Sequence, residues 1–182
     1  MTNRAMIVAA IGVVVALATG SAALIELSNN STSPTVNGTF GSASCSVPHL
    51  SGLKVDVTLS DAGGAMMSQA PMMARLIADP TIVPAGKVSF VAFNNGALAH
   101  EMVVLPLPSD GPGTRPTGSD GKINESQSLG EASRSCGPGA GDGIAPGSVG
   151  WTTVTLKPGR YELVCDEPWH YAAGMFEVLT VQ

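Results

Sequence analysis

Short stretches in which apolar and polar residues alternate recur from residue 53 to the end of this 182-residue chain. A period of two is typical of strands that bury one face and expose the other. Turn-forming Gly, Pro and Asn residues separate these stretches. The pattern predicts an all-β domain, and a β-sandwich of about seven or eight strands is the simplest way to close it. The stretches cover residues 53–59, 88–93, 102–105, 151–156, 161–164 and 176–181.

The chain is mildly acidic, with 9 Lys and Arg against 14 Asp and Glu and a formal net charge of −5. The sequence contains no run of Lys or Arg. Proteins that bind nucleic acid mainly through its phosphates cluster basic residues on one surface. We therefore expect no nucleic-acid partner.

The N-terminal segment predicts the compartment. Arg4 is the only charged residue before Glu26, and residues 5–25 are apolar or small. A basic residue before an apolar run is typical of an export signal, and this run is also long enough to cross a bilayer. Residues 1–25 are predicted to be either a cleaved signal peptide or a retained transmembrane anchor. In both cases the chain is expected on the periplasmic or cell-surface side of a membrane.

The remaining chain divides into a linker and one domain. Residues 26–49 are rich in Ser, Thr and Asn without hydrophobic period, which predicts a flexible linker. The folded domain is predicted over residues 50–182. Within it, residues 106–150 are dense in Gly, Pro, Ser and Asp, which predicts a long surface insertion with little regular structure.

The three cysteines, at positions 45, 136 and 165, are not expected to have the same role. Cysteines of exported proteins normally pair, so an odd count leaves one thiol that needs another role. Cys165 is that thiol, because it follows a predicted strand and begins a C-x4-H-x4-M run with His170 and Met175. Cys45 and Cys136 remain as a candidate disulfide.

Sulfur ligands combined with imidazole select copper, and two His, one Cys and a weak axial Met form the blue-copper arrangement. His100 follows an Asn-Asn-Gly turn and precedes an apolar strand, so it is predicted to supply the second imidazole. His49 lies beside Pro48 at the linker edge and is expected to face solvent. Asp166 and Glu167 are expected to be solvated charges.

Three motifs then resemble a known family. They are residues 83–90 (VPAGKVSF), the Asn-rich turn before His100, and residues 157–165 (KPGRYELVC), which lead into His170 and Met175. With the insertion left out, residues 53–182 resemble the cupredoxins of the plastocyanin and azurin type, and among these the sulfocyanin-type proteins most.

The resemblance implies a Greek-key β-sandwich with one type 1 copper site. By resemblance the copper ligands are His100, Cys165, His170 and Met175. Tyr161 is similar to the corner tyrosine that steadies the strand before the cysteine.

The predicted function is that of an exported blue copper protein, not an enzyme, that carries single electrons. Its expected partners are redox proteins such as a respiratory cytochrome or oxidase, and it is expected to be a monomer. An alternative is copper storage or delivery, because thioethers bind Cu(I). A third is a metal-free scaffold in which Cys165 is a stray thiol. The thioethers of the second hypothesis are Met66, Met67, Met72 and Met73.

Overall fold

The computed structural model describes residues 45–62 and 73–182, and all regular structure in these residues is β. The strands are β1 (Leu53–Ala62), β2 (Met73–Asp79), β3 (Ile82–Val83), β4 (Gly86–Asn94), β5 (Met102–Pro106), β6 (Gly130–Arg134), β7 (Gly139–Gly143), β8 (Val149–Leu156), β9 (Gly159–Val164) and β10 (Phe176–Val181).

The strands form two sheets. One has the order β2-β1-β4-β8 and the other β3-β10-β9-β5-β6-β7. Several neighbours are far apart in sequence: β1 runs parallel to β4, and β5 runs antiparallel to β9. The chain therefore crosses repeatedly from one sheet to the other, as in a Greek-key sandwich.

One apolar core joins the two sheets. Val57 and Phe90 come from the first sheet and Leu163 and Leu179 from the second, and all four are almost fully buried in the same cluster. Complete burial of such a side chain contributes about 1.5–3 kcal/mol. Burial of one strand face in this core therefore explains the alternation in the sequence. The predicted all-β sandwich is confirmed.

The segment 106–150 is more regular than its composition indicates. It contains β6 and β7, which extend the second sheet beyond β5. The Cys45–Cys136 disulfide, predicted from the odd cysteine count, joins the chain before β1 to the turn between β6 and β7. The expectation of little regular structure is therefore wrong for the second half of this segment, where strand pairing replaces hydrophobic period as the ordering force.

Other predictions have separate outcomes. The Tyr161 hydroxyl donates a hydrogen bond to the Lys157 carbonyl (2.9 Å), as the resemblance implied, and His49 is exposed. The predicted leader, most of the linker, and Met66, Met67 and Met72 lie outside the described residues. Among the residues described, no helix has the length and apolar character needed to cross a membrane.

Candidate metal centre

Three donor atoms meet in the interior at one end of the sandwich. His100 Nδ1 lies 3.1 Å from His170 Nδ1, and Cys165 Sγ lies 3.9 Å from His100 Nδ1 and 3.4 Å from His170 Nδ1. The three side chains are buried. The structure thus brings together three predicted ligands, although 65 positions separate His100 from Cys165.

Backbone hydrogen bonds close the loop that carries two of these donors. The loop spans residues 165–175 between β9 and β10. The N–H of Cys165 donates to the Met175 carbonyl (3.1 Å), and the N–H of Met175 donates to the His170 carbonyl (3.0 Å). The C-x4-H-x4-M spacing therefore folds back on itself, which places thiol and imidazole side by side.

Met175 lies at the end of the same loop. Its side chain is fully buried and belongs to the core cluster that contains Cys165. Its backbone bonds to both Cys165 and His170 keep it beside the donors. Its role as the axial ligand remains a prediction.

His100 reaches the site from the connection between β4 and β5. Its backbone exchanges two hydrogen bonds with Ile144, just after β7. Asn94 Nδ2 donates to the carbonyls of Leu98 (2.7 Å) and Ile144 (2.6 Å). Asn94, at the start of the Asn-rich turn, therefore links the segment before His100 to the residue that follows β7 in the second sheet.

The second nitrogen of His100 faces a carboxylate. His100 Nε2 lies 2.9 Å from Asp61 Oδ1, and the two side chains are 0% and 4% exposed. Asp61 Oδ1 also accepts the N–H groups of Ala97 (2.8 Å) and Leu98 (3.1 Å). Burial alone would raise the pKa of Asp61, but these hydrogen bonds hold it below its ordinary value. A carboxylate at this distance can accept a proton carried by Nε2, an arrangement that leaves the lone pair of Nδ1 for a metal.

The remaining donors are neutral without a metal. Burial raises the pKa of the Cys165 thiol to about 12, although the Glu101 N–H donates to Sγ at 3.4 Å. Burial also lowers the pKa of His170. A metal at this site must therefore displace one proton from sulfur, while the His170 imidazole is ready to bind at neutral pH.

The donor set fits one type 1 copper site. Metal–nitrogen bonds of about 2.0 Å and a metal–sulfur bond of about 2.3 Å place the donors of one ion about 3–4 Å apart. The observed separations of 3.1, 3.4 and 3.9 Å fall within this range. Two imidazoles and one thiolate beside a buried thioether are the ligand types of blue-copper centres.

A group of carboxylates lies next to the donors. Oxygens of Glu101, Glu125 and Asp166 lie within 4.8 Å of one another. Burial, with a contribution from neighbouring carboxylates, raises the pKa of Glu101 to about 8 and that of Glu125 to about 7. The expectation that Asp166 is solvated is wrong: it is buried and accepts the N–H of Ile123, because the insertion folds over the ligand loop.

The insertion also meets the ligand loop at Trp169. This residue is half exposed, and its N–H donates to the Gly121 carbonyl at 2.9 Å. Gly121 has φ +79°, and a Cβ there would lie 2.7 Å from the indole ring. The insertion therefore covers part of Trp169, the residue next to His170. His170 itself is only 5% exposed.

A buried carboxylate links the insertion to β9 and to the ligand loop. Glu162 accepts hydrogen bonds from Arg115 Nε (2.8 Å), the Gly113 N–H (2.7 Å) and the Tyr171 hydroxyl (3.2 Å). Its side chain is fully buried. Sequence reasoning missed both Glu162 and Asp61, because carboxylates are not the ligand types of a copper site of this kind and their partners are distant in the chain.

Comparisons with known proteins give structural neighbours only. No family model matches the sequence, and no curated protein matches it. Auracyanin B is 23% identical with a TM-score of 0.47, and the match covers 76% of this chain and 95% of that one. Reduced auracyanin from Roseiflexus castenholzii is 21% identical with a TM-score of 0.43, over 72% and 99% of the two chains. Rusticyanin from Thiobacillus ferrooxidans is 22% identical with a TM-score of 0.41, over 72% and 79%.

Proposed function

We propose that this chain is an exported type 1 copper protein that carries single electrons between redox partners. The proposal depends above all on the buried triangle of His100 Nδ1, His170 Nδ1 and Cys165 Sγ. Copper held by these atoms supplies a one-electron Cu(I)/Cu(II) couple.

The protein's own contribution is to hold the donors in one arrangement. The Asp61 carboxylate contacts His100 Nε2, and the Glu101 N–H donates to Cys165 Sγ. Backbone hydrogen bonds within the ligand loop hold His170. Donors that are fixed by their neighbours rearrange little when the charge of the ion changes. Small rearrangement suits electron transfer, which is why we propose a carrier and not an enzyme.

Two features support export. The Cys45–Cys136 disulfide is of a kind that persists in oxidising compartments, and residues 5–25 have the composition of a signal or anchor. We propose a periplasmic or cell-surface location, with a retained anchor as one form of it. The proposed partners are larger redox proteins such as a cytochrome or an oxidase.

Burial of the donors favours a carrier over a copper-delivery protein. His100 and Cys165 are fully buried and His170 is 5% exposed, so the described residues give an acceptor protein little direct access to these donors. Of the four methionines in the copper-delivery alternative, Met73 lies among the described residues. It is half exposed on β2, an edge strand of its sheet.

The test is the visible spectrum of the metal-free full chain after addition of Cu(II). We expect an intense thiolate-to-copper band that is absent from Cys165→Ser and unchanged in His49→Gln, which removes an exposed histidine. Ascorbate should bleach the band and ferricyanide should restore it without loss of copper. A colourless protein, or a band that survives in Cys165→Ser, would refute the ligand assignment. Loss of copper to a Cu(I) chelator after reduction would favour the delivery function.

A further inference from the structure

We propose that Asp61 is the positioning residue of the metal centre: its carboxylate fixes the tautomer and orientation of His100 and places a negative charge behind this ligand. The inference rests on the proposed function only in its effect on copper. Its effect on the His100 ring concerns the protein without metal.

The geometry supports a specific and not an incidental contact. Asp61 lies at the end of β1 and reaches His100 Nε2 at 2.9 Å, with both side chains buried. The same oxygen, Oδ1, accepts the N–H groups of Ala97 and Leu98, in the segment just before His100. One carboxylate oxygen therefore orders both the ring and the backbone that carries it.

Gly96 makes this contact possible. A Cβ at position 96 would lie 2.0 Å from Asp61 Oδ1 and 2.7 Å from His100 Nε2. The glycine in the Asn-Asn-Gly turn therefore leaves room for the hydrogen bond between carboxylate and imidazole. A side chain here must separate the two groups even though both are still present.

The chemical consequence follows from which nitrogen is used. Because a buried carboxylate accepts the Nε2 proton, Nδ1 keeps its lone pair and points toward Cys165 and His170. A carboxylate partner makes the imidazole a stronger donor and stabilises the more positive state of an ion bound to it. Loss of the charge should therefore weaken Cu(II) binding and raise the reduction potential.

Three variants separate the possible roles. Asp61→Asn keeps an acceptor oxygen but removes the charge, Asp61→Ala removes both, and Gly96→Ala keeps the carboxylate but displaces it. Asp56→Asn is the matched control, because Asp56 lies on the same strand, is exposed and forms an ion pair with the exposed Lys54.

Two measurements on the full chain decide the question. Nitrogen NMR of the metal-free protein should show His100 protonated at Nε2 in wild type and Asp56→Asn, and in mixed tautomers in Asp61→Ala and Gly96→Ala. Copper titration should show affinity about 10- to 100-fold lower in Asp61→Ala. Electrochemistry should show a higher potential in Asp61→Asn than in Asp56→Asn.

The outcomes are distinguishable from failure of the copper assignment. If wild type binds no copper, the proposed function fails, and the tautomer of His100 still decides the positioning role. An unchanged tautomer in Asp61→Ala and Gly96→Ala would overturn the inference, as would equal potentials in Asp61→Asn and Asp56→Asn. If Asp61→Ala does not fold, the reduction potential of Asp61→Asn and the His100 tautomer in Gly96→Ala decide the inference.

Discussion

Glu125 illustrates how a single buried group can set the pH response of the metal-free protein. Its pKa is raised to about 7 by burial, with added repulsion from Asp166 and Glu131, while a free glutamate has a pKa of 4.5. Its Oε1 atom is buried and has no hydrogen-bond partner among the described residues. The ionised form is therefore disfavoured in the folded state.

The sign of the effect follows from proton binding. Between pH 4.5 and about 7 the folded state holds more protons at Glu125 than the unfolded state does. The stability that Glu125 contributes is fully present below pH 4.5 and is lost as the pH rises through 7. We expect Glu125→Gln to be more stable than wild type at pH 8, with a smaller gain at pH 5.

Urea unfolding of the metal-free, oxidised protein at pH 5 and pH 8 measures this difference. Asp142→Asn is the control, because Asp142 is exposed. A difference between Glu125→Gln and wild type that is the same at both pH values would contradict the prediction.

At the scale of elements, a buried ion pair between Arg115 and Glu162 joins the insertion to β9. Glu162 is fully buried, and its Arg115 partner is 13% exposed. Removal of one member of a buried pair leaves the other charge uncompensated and typically costs about 3–5 kcal/mol. We expect Glu162→Ala to lower the free energy of unfolding by about this amount, as measured by urea titration.

Tyr171→Phe is the matched comparison, because it keeps the ion pair and removes only the hydroxyl, which donates to Glu162 and accepts the backbone N–H of Arg115. A single hydrogen bond to a charged group contributes about 1.5–3 kcal/mol. If Glu162→Ala costs no more than Tyr171→Phe, the pair with Arg115 does not anchor the insertion.

Hydrophobic period explains which strands could be predicted. The six predicted stretches correspond to β1, β4, β5, β8, β9 and β10. Apolar and polar residues alternate along most of these strands, whereas β5 is a continuous apolar run with four consecutive buried residues. In β2 the inward side chains are Ala74, Leu76 and Ala78, while Ile77 faces outward, so apolarity does not mark one face. β6 and β7 are rich in Gly and small residues and are ordered by pairing with β5 and with each other.

The candidate site also contains residues that could be predicted from the sequence and residues that could not. His170 and Met175 were predictable because their spacing from Cys165 is local, and His100 because few histidines remained. Asp61 and Asp166 were not predictable as buried partners. Their burial depends on the turn before His100 and on the insertion, which are brought to them only by the tertiary fold.

At the scale of the whole molecule, the disulfide is the one covalent link between distant parts of the described chain. Cys45 and Cys136 are 91 positions apart, so their bond closes a loop that includes β1 to β6. Restricting a loop of this length in the unfolded state is worth about 4–5 kcal/mol in the chain-entropy model. The bond therefore acts on the stability of the sandwich, whereas the donors are held by hydrogen bonds within the ligand loop and by those of His100 with Asp61 and Ile144.

This separation predicts the behaviour of the double variant Cys45→Ser/Cys136→Ser. We expect its free energy of unfolding to fall by up to about 4–5 kcal/mol, while the copper band of the folded protein keeps the wild-type position and intensity. Urea titration and the visible spectrum of the same samples measure the two quantities. For the urea titration, metal-free wild type treated with a thiol reductant provides a second route to the open form. A displaced band in the folded double variant would mean that the disulfide helps to set the donor geometry, since the strand β6 that it secures pairs with β5, the strand that follows His100.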